Sequence, residues 1–405
     1  MHPRMVQALV SPTTSSIWQA GWRLCGGLSP KRVRFFHQVD DPHSHQLLCL
    51  LPELSRRFNV QVLLHVVPPP TPDQDPEPEL AMDFIDRDAR EWARLYEVEP
   101  VGQRAWTDED RRAAQSRFLA MKGPDLLEQA VELSRALWAG ATVDAVADPT
   151  AGLAAHQARL HRGGYYRGGS VFFEGEHYPG LARWRMLEAH LGGREGSILR
   201  PRSMPEPAVS RAKPGAELQW FYSFRSPYSY LSVEPVRRLV DTYDVQLKIR
   251  PVLPMVMRGL QVPFRKRLFL VRDAKRVALQ RQQPFGLLAD PLGLGVERLL
   301  AVYPLAEARG HGLDFLQAAG RAVWAEGVDV ATDEGLFGVA ESAEISPEEV
   351  KAAILDEGWR AMAEDNQADL LAHKLWGVPA FVMDGFSTWG QDRLFQLQAR
   401  LSPRA

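Results

Sequence analysis

Apolar residues fall into short runs rich in β-branched and aromatic side chains, separated by longer stretches with a helical period, and this order occurs twice. Val33 to Val39 and Leu218 to Phe224 read as strands. Each leads into a proline-opened helix, at Asp41-Pro42-His43-Ser44-His45 and Ser226-Pro227-Tyr228-Ser229-Tyr230. In the second half a helix over Tyr228 to Thr242 and a strand over Gln246 to Val252 follow. A helical stretch from Phe264 to Ala372 comes next, then a strand over Ala380 to Met383, a turn at Asp384-Gly385 and a helix over Gln391 to Leu401. The expected fold class is α/β: two tandem domains, each a central sheet with an inserted helical subdomain.

The halves align residue by residue. Asp41 and Ser226 are 185 positions apart, as are Asp88 and Asp273 within Arg-Asp-Ala-Arg and Arg-Asp-Ala-Lys. Trp138 and Trp324 are 186 apart, and Val171 to Arg183 matches Phe381 to Arg393 at 210, glycine on glycine at 175/385 and 180/390. Preserved order and spacing predict a tandem duplication. The proline- and acid-rich segment Pro68 to Glu79 excludes helix and central strand and predicts a loop. Prolines at 201, 205, 207 and 214 mark a linker. The expected domains are residues 1–30, an extension with an amphipathic helix over Ser16 to Leu28; 31–199; the linker 200–216; and 217–405.

A length of 405 residues accommodates two cores of ordinary size. A net charge of -2 lacks the basic excess of a phosphate-binding surface, which argues against nucleic acid as a partner. No apolar run approaches the roughly 18 to 20 residues of a membrane span, and no secretory leader is framed at the N-terminus, so the expected location is cytoplasmic, away from membranes. The two cysteines, Cys25 and Cys49, form neither a C-x-x-C nor a zinc cage. His37, His43, His45 and His65 lack ligand spacing, so hydrogen-bonded histidines are expected and no metal.

Ser226 stands where a strand ends and a helix starts. It serves either as an N-cap alone or as part of an anion site, in which hydroxyl, free amides and helix dipole together hold a thiol as thiolate. Further on, Val378-Pro379 precedes an apolar strand. A cis bond there would leave the Val378 amide and carbonyl to pair with a peptide-like ligand; the sequence alone leaves cis and trans open.

Taken together, Phe221-Tyr222 with Ser226-Pro227-Tyr228-Ser229-Tyr230-Leu231, Gly377-Val378-Pro379 with Phe381-Val382, and Trp389-Gly390 with Asp392-Arg393-Leu394 resemble the 2-hydroxychromene-2-carboxylate isomerases and kappa-class glutathione transferases. These belong to the broad DsbA-like thioredoxin superfamily. Arg321 to Val330 resembles the same family, and the likeness spans nearly all of residues 217 to 401. It implies glutathione as cofactor and a small, aromatic, electrophilic substrate. Ser226 would hydrogen-bond the glutathione sulfur, Val378 before Pro379 would pair with the cysteinyl backbone, and Gln391 and Asp392 would hold the γ-glutamyl end. Lys266 matches the lysine that takes the glycyl carboxylate in kappa-class relatives, or is a solvated member of the run Arg265-Lys266-Arg267. Because relatives dimerise, the tandem is expected to be an internal pseudo-dimer, with a homodimer as the further possibility.

Two departures matter. Ser223 replaces an acidic residue common in the isomerases, and Phe285 to Gly295 is apolar and glycine-rich where they carry a polar substrate segment. In the first half Asp41 replaces the serine, Gly169 the proline and Leu181-Ala182 the Gln-Asp pair. A carboxylate repels a thiolate, so this half is expected to be degenerate. The rival expectations are a disulfide oxidoreductase, which needs a redox cysteine in one of the two turns, and a non-catalytic binding protein.

Overall fold

The structure is a computed structural model that describes residues 31–193, 196–202, 213 and 215–401. The expected N-terminal helix, Cys25 and most of the linker lie outside the described residues. The chain divides into two compact units. One comprises the described residues to 202 together with Pro263–Phe269; the other comprises the described residues from 213 to 262 and from 270 to 401.

In the N-terminal unit the order is β1 (Lys31–His37), α1 (Pro42–Phe58), β2 (Val60–Val66), α2 (Pro78–Leu95), α3 (Asp108–Ala120), α4 (Leu126–Trp138), α5 (Thr150–Arg162), β3 (Ser170–Phe173), β4 (Glu176–Pro179) and α6 (Trp184–Leu191). The C-terminal unit follows with β5 (Ala216–Tyr222), α7 (Pro227–Thr242) and β6 (Val245–Pro251). Helices α8 (Phe264–Gln280, whose residues to Phe269 group with the N-terminal unit), α9 (Leu294–Ala308), α10 (Gly312–Trp324), α11 (Asp333–Ala340), α12 (Pro347–Ala353) and α13 (Gly358–Ala372) come next, and β7 (Ala380–Met383), β8 (Phe386–Trp389) and α14 (Leu394–Gln398) close it. No helix among the described residues is long and apolar enough to cross a membrane.

Both sheets have four strands in one topology, β2-β1-β3-β4 and β6-β5-β7-β8. The first two strands of each unit run parallel, and the later pairings are antiparallel. Registers coincide as well: Lys31 faces Val60 as Ala216 faces Val245, and Phe36 faces Ser170 as Phe221 faces Ala380. The offsets of 185 and 210 found in the sequence therefore recur as strand pairing.

Strands β1 and β5 stop two residues before the sequence pattern does. The cause is a turn: the Asp41 amide donates to Gln38 O at 3.2 Å and the Ser226 amide to Ser223 O at 2.9 Å, which bends the backbone away from the ladder. The last helix also corrects the expectation, spanning Leu394–Gln398 instead of Gln391 to Leu401. Gly390 at φ 114 and a turn from the Arg393 amide to Gly390 O, 3.1 Å, occupy its expected start.

The C-terminal core is aromatic. Trp220 and Phe381, neighbours across β5 and β7, stack at 6.3 Å, and Trp220, Phe221, Tyr222, Phe224, Tyr230, Phe315 and Trp376 are all buried. Gly320 lets α7 and α10 meet closely: a Cβ there would lie 2.3 Å from the Tyr230 ring.

The N-terminal core is unusual in burying neutral histidines. His37 Nδ1 lies 2.8 Å from Ser44 Oγ and His45 Nδ1 2.7 Å from Ser134 Oγ, both rings fully enclosed. Burial, and the neighbouring His45, push His37 down to about 3; burial pushes His45 down to about 4. Above the ordinary histidine value near 6.5 both rings are neutral folded or unfolded, so they contribute no pH dependence there. Below it the unfolded chain takes up protons that the folded unit refuses, and stability falls by about 1.4 kcal/mol per pH unit for each ring until the folded values are reached. Melting followed from pH 7 down to pH 4 is therefore expected to show the N-terminal unit losing stability first, and replacing His45 with glutamine should flatten that slope.

Candidate functional site

In the C-terminal unit, the turn after β5 brings Ser226 to the mouth of α7. Ser226 has extended backbone angles, φ -94 and ψ 115, and Pro227 occupies the first helical position, where a missing N–H leaves nothing unpaired. The hydroxyl oxygen accepts from the Ser229 amide at 3.1 Å, an N-cap bond, and the hydroxyl donates to Val378 O at 3.4 Å. The one hydroxyl thus caps α7 and ties its start to the Val378 carbonyl. The Val378–Pro379 bond is cis, so the alternative left open by the sequence resolves to cis.

The half-buried Val378 amide has no hydrogen-bond partner among the described residues. Nearby in the chain, the Gly390 amide donates to Pro379 O at 2.8 Å, which ties the Val378–Pro379 segment to the turn carrying Gln391 and Asp392. Gln391 is 2% exposed, and its Oε1 accepts no hydrogen bond among the described residues. An enclosed acceptor left empty costs about 1 to 3 kcal/mol, which a ligand donor would recover. Arg281 holds the turn from the side, donating to Leu231 O at 2.7 Å and Gln391 O at 3.3 Å. Asp392 is paired with Arg393 at 2.8 Å, and a Cβ on Gly390 would fall 2.7 Å from Asp392 Oδ1. Because α14 is a five-residue helix, its start offers no dipole site.

Lys266 is not brought to this site. It groups with the N-terminal unit, where its Nζ donates to Gln74 O at 2.7 Å and lies 3.8 Å from Asp75. Burial pushes its ammonium down, with Asp75 opposing. Sequence reasoning also missed Arg225, which pairs with Asp290 through both carboxylate oxygens at 2.7 and 2.8 Å and anchors the apolar Phe285 to Gly295 segment one residue from Ser226. Burial pushes the Asp290 carboxyl up, but the Arg225 guanidinium and the Leu292 amide outweigh it and hold it below the ordinary range.

In the N-terminal unit the matching positions are closed from within. Asp41 caps α1 by accepting from the Ser44 amide at 2.8 Å and lies 3.6 Å from Arg167, which also pairs with Asp75. Burial opposes the Arg167 charge, yet the two carboxylates hold it above its ordinary value. The Gly169 amide bonds Phe36 O at 2.8 Å, a bond Pro379 has no N–H to make. The Gly168 amide is satisfied by Gln38 Oε1 at 3.3 Å. Of the histidines, His43 pairs with Asp88 at 2.9 Å, and no metal-binding group of three or more His, Cys, Asp or Glu occurs among the described residues. Cys49 is half-buried, and burial pushes its thiol up to about 12.

A DsbA-like thioredoxin domain profile matches residues 217–402. The 2-hydroxychromene-2-carboxylate isomerase of Pseudomonas putida is 21% identical over 189 residues, covering 45% of this chain and 93% of that protein. A solved 2-hydroxychromene-2-carboxylate isomerase is similar at 19% identity and a TM-score of 0.40, over 45% of this chain and 93% of that one. The cytosolic disulfide reductase DsbM from Pseudomonas aeruginosa is similar at 18% identity and a TM-score of 0.35, over 45% and 98%. The DsbA-like thioredoxin profile gives the fold class of residues 217–402.

Proposed function

We propose, proceeding from residues 217–402 as a DsbA-like thioredoxin domain, that the C-terminal unit is a glutathione-dependent isomerase or transferase acting on a small, aromatic, electrophilic substrate. The observation that carries this is the pairing of Ser226 with Val378: a hydroxyl at a helix mouth, 3.4 Å from a backbone carbonyl whose own residue presents an unpartnered amide. A tripeptide backbone fits that edge. Val378 N–H would donate to a ligand carbonyl and Val378 O would accept a ligand N–H, which displaces the Ser226 hydroxyl. The freed hydroxyl then points its proton at the ligand sulfur. Gln391 Oε1 supplies the missing acceptor for the ligand's ammonium.

Bound glutathione supplies a thiolate that adds to an electrophilic carbon and, in an isomerisation, leaves again after the bond has turned. Ser226, the Ser229 amide and the dipole of α7 favour the anion at that place. Arg225 and Asp290 hold an apolar wall beside it, with Leu287, Leu292 and Leu294 exposed, which suits an aromatic substrate. A disulfide oxidoreductase finds less support, because Ser226 and Asp41 occupy both turns where a redox cysteine is required. The repeated registers support descent of both units from one ancestor, with the N-terminal one having lost its ligand site. A cytoplasm, which keeps glutathione reduced, suits this chemistry.

Titration calorimetry with reduced glutathione tests the reading. The full chain should bind, and Gln391→Leu should weaken binding by about 10- to 100-fold, the worth of one buried hydrogen bond to a charged group. Absence of heat with the unaltered chain would leave a non-catalytic scaffold instead.

A further inference from the structure

The two units carry one position whose side chain differs in a way that governs access. We infer that the residue opposite the ligand-facing amide, Ser223 in the C-terminal unit and Gln38 in the N-terminal unit, sets whether that amide is open to a peptide-like ligand or closed by the protein itself. The identity of the ligand rests on the function proposed above; the gate itself does not.

Strand pairing defines the equivalence. Phe221 faces Ala380 as Phe36 faces Ser170, and the same offsets of 185 and 210 carry Gln38 onto Ser223 and Gly168 onto Val378. The backbone amide of both gate residues is held alike, by Ser229 Oγ at 3.3 Å for Ser223 and by Ser44 Oγ at 3.0 Å for Gln38. The side chains therefore start from matched places.

Their ends differ. Gln38 is 0% exposed, accepts from the Gly168 amide at 3.3 Å through Oε1 and donates to Asp40 Oδ1 at 3.0 Å through Nε2. A Cβ on Gly168 would lie 2.2 Å from Gln38 Cβ, so no space is left for a second molecule between them. In effect the glutamine carboxamide takes the place of a ligand peptide group, offering the same carbonyl to the same amide. Ser223 ends at Oγ, which is buried and makes no hydrogen bond among the described residues, while the facing Val378 amide is also unpartnered there. A donor left open opposite a side chain too short to reach it is what a peptide-binding edge requires.

The experiment uses the full chain. Ser223→Gln should close the edge: hydrogen exchange at the Val378 amide in the free protein should slow by at least about tenfold, and glutathione binding should weaken by a similar factor, each tenfold being about 1.4 kcal/mol. Ser223→Ala should bind like the unaltered chain, since the hydroxyl has no partner to lose. The reciprocal Gln38→Ser should speed exchange at the Gly168 amide, and it decides the matter should Ser223→Gln fail to fold. Unchanged exchange at Val378 or Gly168 overturns the gate, as does undiminished glutathione binding by folded Ser223→Gln. If the unaltered chain binds no glutathione yet the exchange changes appear, the gate stands and the glutathione assignment falls.

Discussion

Ser226→Asp keeps the fold of the C-terminal unit and lowers glutathione-dependent turnover by about 10²-fold or more, the scale set by removing one preorganised donor from a developing anion. The molecule already contains the control for this variant. At the matching position Asp41 accepts from the Ser44 amide at 2.8 Å, so aspartate caps this turn without help from a hydroxyl. Ser226→Ala, in contrast, loses both functions, and the missing cap costs about 1 kcal/mol of stability in addition. A carboxylate beside the sulfur also raises the thiol pKa, where serine lowers it. Thiolate absorbance titrated against pH with bound glutathione separates the cases. The unaltered chain should hold the sulfur well below the ordinary thiol value of about 8.5, and Ser226→Asp should push it above. Undiminished turnover in Ser226→Asp would remove Ser226 from the chemistry and leave it only a cap.

Removing Arg167 is expected to cost the N-terminal unit about 3 to 5 kcal/mol, the penalty for leaving a buried carboxylate without its counter-charge. Asp41 is 1% exposed, and its described partners are the Ser44 amide and the Arg167 guanidinium at 3.6 Å. Asp75 retains Lys266 at 3.8 Å after the change, so the cost falls mainly on Asp41. Denaturant unfolding of Arg167→Ala should show that loss, and adding Asp41→Ser, the residue type the other unit uses, should restore most of it. Equal stability for Arg167→Ala and the unaltered chain would mean that the pair is solvated and does not hold the turn together.

The strands and their order were legible because β-branched and aromatic runs next to proline-opened helices leave few other folds, and the repeat spacing carried over into pairing register. Ser226 was legible for a local reason: strand end, N-cap and proline are written consecutively. The end of the chain was harder, since a glycine with positive φ at Gly390 and a turn at Arg393 shorten a helix whose composition continues past them. The contact of Lys266 with Asp75 was not legible, because a basic run on a helix records nothing about which carboxylate it will meet. Gln38 escaped notice for a similar reason, its partner amide lying 130 residues away in the chain, with no periodicity connecting the two.

The bond from the Ser226 hydroxyl to Val378 O has a thermodynamic corollary. Before any tripeptide arrives that proton is already engaged, so capturing the sulfur exchanges one polar contact for another and releases little heat. On the proposed function, recognition strength then resides in the peptide edge and the γ-glutamyl pocket. A tripeptide carrying a methyl group in place of the thiol would keep those contacts and lose only the thiolate's share, which grows as pH rises toward the free thiol's value of about 8.5; being chemically inert, such sulfur-free analogues are natural competitive inhibitors of this unit.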